Sequence, residues 1–484
     1  MNWRLLSPEI ALTVLAIGVL LVDLFRGQFN KRGLGYLAAG GVLLILAWTY
    51  CPLAHQTTNA GFEIGDGQVI YQVDSLALLF KRFFLLATTF VLIMSVEFSR
   101  QIESGIAEYY ALIVFACVGM LLVSGVMDFV MLFVSLELIT VTFYVLASYL
   151  RRQVTSLEGG LKYLVIGAVA SAFLLFGITF IFGTTGTTNF ADLAIHAGEA
   201  GAGYRFGILL VLAGIGFKIA SVPMQIWAPD VYQGSPTPTT AFLAVGSKAA
   251  GFALLLRLFD SDVVPAGAIG ATLIAVISAL TILYGNFGAI PQRNVKRLLG
   301  YSSIGHAGYM LMGVAAASVM GTSAVLFYLF AYLFTNLTAF LVIVAVSNTV
   351  GSDEIDAYKG LAKRSPLLAA AMAVSMVSLA GVPPLAGFFG KFLLFGAAWE
   401  SGLYWLLAVG LLGVGASLYF YLGVVRTMYF DEPKEPVDFR LGWPCKICLG
   451  VTIFAVFFIG IFQGPVFERV AKAVENAKLE LTQR

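Results

Sequence analysis

The strongest constraint on this chain is a succession of about fourteen apolar stretches, each close to the roughly 20 residues a helix needs to cross a bilayer. They fall near 8–26, 33–51, 74–97, 107–126, 128–150, 156–183, 205–227, 237–259, 264–287, 297–318, 322–347, 366–396, 398–428 and 446–465. Inside hydrocarbon every backbone N–H and C=O must be satisfied within the chain, which leaves helices or closed barrels. Runs of this length predict helices, so the expected fold class is an all-α polytopic membrane protein with about fourteen transmembrane helices. Composition agrees: 59% of the 484 residues are hydrophobic and 12% are charged, too few to coat a water-facing surface. Soluble domains carry about twice that charged fraction. No hydrophilic stretch is long enough for a separate soluble domain, and the longest connections, 52–73 and 429–445, read as loops. The apolar run after Arg4 reaches Asp23 with no small-residue cleavage site behind it, and reads as a retained first helix.

Placement of charge says more than the formal net charge of +2, which gives no indication of nucleic-acid binding. With fourteen spans the connections form two alternating sets. The set that follows the odd-numbered spans holds sixteen of the 29 Lys and Arg residues, among them Arg100, Arg151, Arg152, Arg293, Lys296, Arg297, Lys359 and Arg364. The opposite connections hold Arg4, Arg205 and Arg257, with Arg469, Lys472, Lys478 and Arg484 in the tail. Short basic loops stay in the cytoplasm, so both termini are expected on the other side.

Two spans are interrupted. The seventh contains Ser221-Val222-Pro223 after Lys218, then Trp227-Ala228-Pro229-Asp230; the twelfth contains Gly381-Val382-Pro383-Pro384 and Gly387 before Lys391. Proline removes a helix hydrogen bond, and broken backbone at membrane depth survives only where protein or a water-filled cavity satisfies it. The two Val-Pro pairs lie 160 residues apart, each in the fourth span of a five-span block. Corresponding breaks are the mark of transporters built from internal repeats, and an odd number of spans per unit requires the second copy to be inverted. The expected organisation is therefore helices 1–3 (1–106), two inverted five-helix repeats, each containing a broken helix (107–263 and 264–428), and a last helix with its tail (429–484).

The charges that remain lie inside spans: Lys81, Arg82, Lys162, Lys218, Lys248 and Lys391, with Glu137 as the one carboxylate near a span centre. A charge at the bilayer centre costs roughly 2.5–3.5 kcal/mol on insertion scales, so such residues face a bundle interior and default to function. Lys81 and Arg82 lie about two turns inside their span and read as side chains that snorkel to water. Lys162 has that alternative too. Lys218 and Lys391 each adjoin a break, and Lys248 sits half-way along its span. Burial favours the neutral form of a lysine and a nearby carboxylate favours the charged form, so a lysine between the two influences can exchange protons. The expectation is that Glu137 pairs with Lys218, which passes its proton to Lys248. His306 reads either as a proton relay or as a hydrogen-bonded packing residue. Asp230 reads as a backbone cap or an aqueous entrance, and His55 and His196 as incidental loop residues.

Other chemistries find no support. Cys445 and Cys448 form a lone Cys-x-x-Cys with no second pair, and with Cys51 and Cys117 read as ordinary thiols. Gly413-Val414-Gly415 lacks the strand–turn–helix setting of a dinucleotide site. No P-loop, catalytic triad or metal-ligand cluster appears, so the chain itself is expected to bind no cofactor.

Three stretches carry a resemblance to a known family: Ser135-Leu136-Glu137-Leu138; Gly216-Phe217-Lys218 through Pro223, Trp227, Pro229 and Asp230-Val231-Tyr232-Gln233-Gly234; and Asn294-Val295-Lys296-Arg297-Leu298-Leu299-Gly300-Tyr301-Ser302-Ser303. Over essentially its whole length the sequence resembles the antiporter-like membrane subunits of the proton-pumping NADH:quinone oxidoreductase, respiratory complex I. The resemblance implies fourteen helices with inverted five-helix repeats and a proton path at Glu137, Lys162, Lys218, Lys248 and Lys391. It also implies partners, namely other membrane subunits and a peripheral redox arm, with NADH, FMN, iron–sulfur clusters and quinone bound there and not in this chain. The implied location is a bacterial inner membrane. The alternative within the family is an Mrp-type cation/proton antiporter subunit or a related membrane-bound redox complex; the string from Tyr232 to Phe242 looks more like the complex I members. One departure is Gln225, where relatives often carry a histidine, so no protonatable group is assigned there.

Overall fold

The computed structural model describes residues 3–26, 31–51, 60–64, 68–197, 201–264, 268–433, 439 and 441–482. The chain is a helical membrane protein, and among the described residues eleven helices are long and apolar enough to cross a bilayer, with two shorter apolar helices beside them. The first part comprises α1 (Ser7–Arg26), α2 (Arg32–Trp48), the strands β1 (Ala60–Ile64) and β2 (Gln68–Val73), and α3 (Ser75–Phe98). Then come α4 (Ile106–Ser124), α5 (Phe129–Ala147), α6 (Val154–Thr185), the short α7 (Phe190–Ala197), α8 (Ala202–Ile219) and α9 (Ala228–Gly234). Helix α10 runs over Thr237–Asp260 and holds one π turn, Leu243–Ser247, directly before Lys248. The rest is α11 (Ala268–Ala289), α12 (Val295–Ala315), α13 (Val319–Val350), α14 (Leu361–Arg364), α15 (Pro366–Ala380), α16 (Ala386–Glu400), α17 (Tyr404–Phe430), α18 (Trp443–Ile461) and α19 (Gln463–Thr482).

Helix starts follow local chemistry. Asp74, Asp128, Asn294 and Ser318 each accept a hydrogen bond from the first turn that follows, satisfying an otherwise orphaned N–H. Most spans are apolar all round, so periodicity does not distinguish the lipid face from the core. The structure does: α10 and α13 are almost wholly covered by other helices, whereas α1, α6 and α17 leave Phe25, Leu161 and Tyr419 exposed. Around this apolar frame the connections segregate. Residues 98–101, 150–155, 233–237, 294–296 and 347–354 surround one pocket on the basic-loop side. On the opposite side the hairpin, α7 and the ends of α8, α10 and α19 meet through Gln68–Asp192, Tyr204–Val263, Arg257–Asp74 and Ser75–Glu480 hydrogen bonds.

The interruptions are real breaks. Helix α8 stops at Ile219, Ala220 takes a left-handed φ of 58°, and the chain crosses Pro223 before α9 begins. Groups freed by this break are used: Trp227 Nε1 donates to Phe217 O (3.0 Å) and Val222 N to Thr281 Oγ1 (3.0 Å). Helix α15 stops at Gly381, whose φ of 87° favours glycine, and α16 restarts after Pro383-Pro384. There the ammonium of Lys391 binds the last carbonyls of α15, Leu379 O at 2.9 Å and Ala380 O at 3.1 Å. A cation is favoured at that helix end.

Two expectations need correction, and the tail adds an element. The 52–73 connection contains an antiparallel hairpin, with Ala60 opposite Val73 and a bulge at Phe62/Glu63. The C-terminal tail is helical: α19 buries Val470, Val474 and Ala477, which share one helical face. Lys81 does not snorkel; it is 1% exposed and pairs with Glu9 of α1 at 2.9 Å. Arg82 does reach outward, donating to Thr49 O and lying over the Tyr50 ring. His55 lies outside the described residues.

Candidate functional site

The polar interior is built on α12. Its residues Ser302, His306 and Tyr309 recur at helical spacing and meet side chains from α13, α16 and α17, while Ser303 meets α9 and α10. Lys248 of α10, 2% exposed, donates to both the carbonyl and the hydroxyl of Ser303. The same hydroxyl bonds the Tyr232 OH of α9 at 2.8 Å. One residue back, Ser302 bonds the Tyr421 OH of α17, which lies 3.0 Å from His306 Nε2. The other ring nitrogen of His306 meets the Tyr328 OH at 2.5 Å. Aromatic faces close the remaining gaps. The Tyr332 ring lies 6.0 Å below Lys248 Nζ and 5.2 Å from the His306 ring, and the Tyr309 ring lies 4.9 Å from Lys391 Nζ. Lys248, Ser303, Ser302, Tyr421, His306, Tyr309 and Lys391 therefore form one buried row of titratable and hydroxyl groups.

Lys218 stands beside this row on a different footing. It occupies the last turn of α8, is 5% exposed, and its Nζ is buried without a hydrogen-bond partner among the described residues. Helix α10 crosses against it: a Cβ at Gly251 would lie 3.3 Å from the Lys218 Cβ. The expected direct pair with Glu137 is not formed. Glu137 on α5 accepts from Ser171 of α6 instead, and acts on Lys218 only through space. Tyr144 and Tyr163 pack with rings 5.2 Å apart, Tyr163 stacks on Phe217 next to Lys218, and neither buried hydroxyl has a hydrogen-bond partner among the described residues. Gln225, in the first break, is buried, and its side-chain oxygen has no hydrogen-bond partner among the described residues.

Lys162 and Asp230 belong to a separate network. Lys162 is 42% exposed and binds Glu158 at 2.7 Å and Asp230 at 2.6 Å. Asp230, on the first turn of α9, also takes Arg297 of α12. The sequence leaves Lys162 either snorkelling to water or, as the resemblance implies, on the proton path; the structure sets it in this half-exposed ionic cluster, where its side chain reaches the Asp230 carboxylate.

Three sets of polar residues lie beyond the sequence expectation. The tyrosines that complete the row (232, 309, 328, 332 and 421) carry a legible signal, since Tyr328 and Tyr332 share one face of α13 at i, i+4 spacing. Lys296, assigned to a loop, is 4% exposed in the first turn of α12, paired with Asp353 at 3.4 Å. On the far side, Arg257 and Asp74 form a fully buried ion pair, close to the Glu9–Lys81 pair through Tyr71. Among the described residues no group of three or more His, Cys, Asp or Glu side chains converges as a metal-ligand set.

Residues 126–417 match the family described as NADH:quinone oxidoreductase/Mrp antiporter, TM. Over its whole length the chain is 39% identical to NADH-quinone oxidoreductase subunit N of Desulforamulus reducens, covering 99% of each. The chain belongs to this NADH-quinone oxidoreductase subunit family. Among solved structures, a chain of respiratory complex I from Thermus thermophilus with bound aureothin is 33% identical, covers 95% of this chain and 98% of its own, and has a TM-score of 0.80. A chain of the Mrp complex from Dietzia sp. shares the fold at TM-score 0.85 over 99% of this chain and 98% of its own, but at 21% identity. Within the family, full-length sequence agreement therefore lies with the oxidoreductase branch, and the likeness to the Mrp chain is one of fold.

Proposed function

We propose that this chain is a proton-translocating subunit in the membrane arm of an NADH:quinone oxidoreductase, at the place subunit N takes in its relatives. The observation that carries the reading is the buried row from Lys248 to Lys391, in which amino groups, hydroxyls and an imidazole stand in contact inside an apolar bundle. Charges buried this way are costly and are retained where ions pass. Lys218, with no hydrogen bond among the described residues to hold its proton, is the group whose charge responds most to a carboxylate nearby. Glu137, through Ser171 and the tyrosine pair, supplies that influence. Protonated Lys218 passes a proton to neutral Lys248; Ser303, Ser302, Tyr421 and His306 carry it toward Lys391. Lys162 and Asp230 set the field at the basic-loop side. The two breaks, each next to a lysine, serve as the polar backbone of inverted repeats spanning 107–263 and 264–428. Energy comes from quinone reduction by partner subunits, which hold NADH, FMN, the iron–sulfur clusters and quinone. Partners are the other membrane subunits and, through them, the redox arm.

The test is purification of the assembly around a tagged chain and its reconstitution into vesicles. Flavin- and iron–sulfur-containing subunits are expected to co-purify, and Lys391→Met to leave a complex that pumps at least about tenfold more slowly. A preparation holding only small membrane subunits and exchanging cations for protons would return the chain to the Mrp reading. The location proposed is a bacterial inner membrane with both termini outside the cytoplasm. A reporter active only in the cytoplasm is expected to be silent when fused after Arg484; strong activity overturns that orientation.

A further inference from the structure

We propose that Lys296 and Asp353 form a proton-loading station that feeds Lys248 from the cytoplasmic pocket. The inference rests on the proton-translocating reading and adds residues to it. A cavity of about 560 Å³ opens on the basic-loop side, lined by Gln101, Gln153, Asn294, Lys296, Asp353 and Glu354 among other polar residues. It shares Gln101, Leu150 and Gln153 with a second cavity of about 570 Å³ that continues to Glu103, Glu108 and Arg152. Lys296 stands at the inner wall. Its Nζ donates to Ser235 O at 2.7 Å and faces Asp353 Oδ2 at 3.4 Å. Two polar atoms beside it are buried and, among the described residues, without a hydrogen-bond partner: Asp353 Oδ1 and the hydroxyl of Ser235, which is 0% exposed.

The path inward is short. Ser303 follows Lys296 by seven residues on α12, two turns and about 10 Å along the axis, on the same face. Between those levels lie Ser235, then Thr240, whose hydroxyl reaches Ser235 O and Tyr232 O, then the Tyr232 OH on Ser303. The neighbouring basic residue, Arg297, turns the other way to Asp230, and Glu354 is engaged by Asn294, so Lys296 and Asp353 are the charged pair facing this route. In the transfer, one N–H bond breaks at Lys296 and one forms at neutral Lys248. Water and the Tyr232 and Ser303 hydroxyls shift protons between them, each losing one and regaining one. Lys296 is then reloaded from a hydronium in the pocket by way of Asp353.

The test uses the intact complex in vesicles. Lys296→Arg keeps a positive charge beside Asp353 but does not give up its proton. It is expected to assemble to wild-type levels and pump at least about tenfold more slowly. Should that variant not assemble, the near-isosteric Asp353→Asn takes its place with the same expectation. Wild-type pumping by whichever variant assembles overturns the proposal. Run beside them, Lys218→Met separates the two ideas. If it is inactive while the Lys296 or Asp353 variant is not, only the loading station fails; if it too pumps normally, the translocation reading falls.

Discussion

Lys218→Met abolishes proton translocation and leaves the protein at least as stable as before. The two halves of that expectation have one cause. Lys218 Nζ is buried and has no hydrogen-bond partner among the described residues, so the fold gains little from its polarity. A lysine in hydrocarbon carries an insertion penalty of roughly 2.5–3.5 kcal/mol, which methionine of similar length removes. Phe217 and Trp227 pack beside the site, and the methionine stem fills the space the lysine stem leaves. Pumping, in contrast, loses the amine that responds to Glu137 and hands on to Lys248, with an expected fall of at least about a hundredfold. Thermal unfolding of the solubilised assembly, read beside proton uptake in vesicles, separates the roles. A lowered melting temperature with pumping intact would make Lys218 a structural residue and remove the first step of the path.

How much of this was legible in sequence depends on whether the information is local. Helices are local: twenty apolar residues admit few alternatives in lipid, and Pro223 and Pro383 announce breaks wherever they stand. The tail α19 was legible too, through Val470, Val474 and Ala477, but its low overall hydropathy hides it from a search for spans. Pairing is not local. Lys81 lies two turns inside α3, and by position alone it reads as reaching for water; what keeps it inside is Glu9, on a helix that only the fold brings near. The same holds for Lys296, which sequence puts in a loop because it stands at the edge of a span. Its role depends on Asp353 and Ser235, which arrive from two other connections. Glu137 and Lys218 illustrate the reverse error. Charge sign suggests a direct pair, whereas the Glu137 carboxylate is taken by Ser171 and the Lys218 amine has no hydrogen-bond partner among the described residues. Sequence thus singles out which residues carry charge into the membrane, and packing decides what each charge touches.

The largest effect on stability is expected at Asp74. Its carboxylate receives the Arg257 guanidinium, and both side chains are essentially without exposure, 0% and 1%. Arg257 also donates to Ser124 O at 2.9 Å. Removing one partner of a buried ion pair leaves an uncompensated charge and costs about 3–5 kcal/mol. Asp74→Asn isolates that term, because Asp74 also caps α3 by accepting from Ala77 N at 2.7 Å and asparagine caps equally well. The variant is expected to lose most of its folded yield, with partial unfolding beginning where α10 meets α3. Adding Arg257→Met restores much of the loss, since a buried pair replaced by apolar groups is often neutral. Denaturation of the parent and the two variants in detergent decides the matter: equal stability of Asp74→Asn and parent, or a double variant no better than the single, refutes the account. The consequence reaches the proton path, because Arg257 is fixed on the same helix as Lys248, nine residues on and beyond the π turn. The clasp at the far end of α10 thereby sets where the Lys248 amine meets Ser303, so a chain that keeps Asp74 without Arg257 is expected to fold poorly before it pumps poorly.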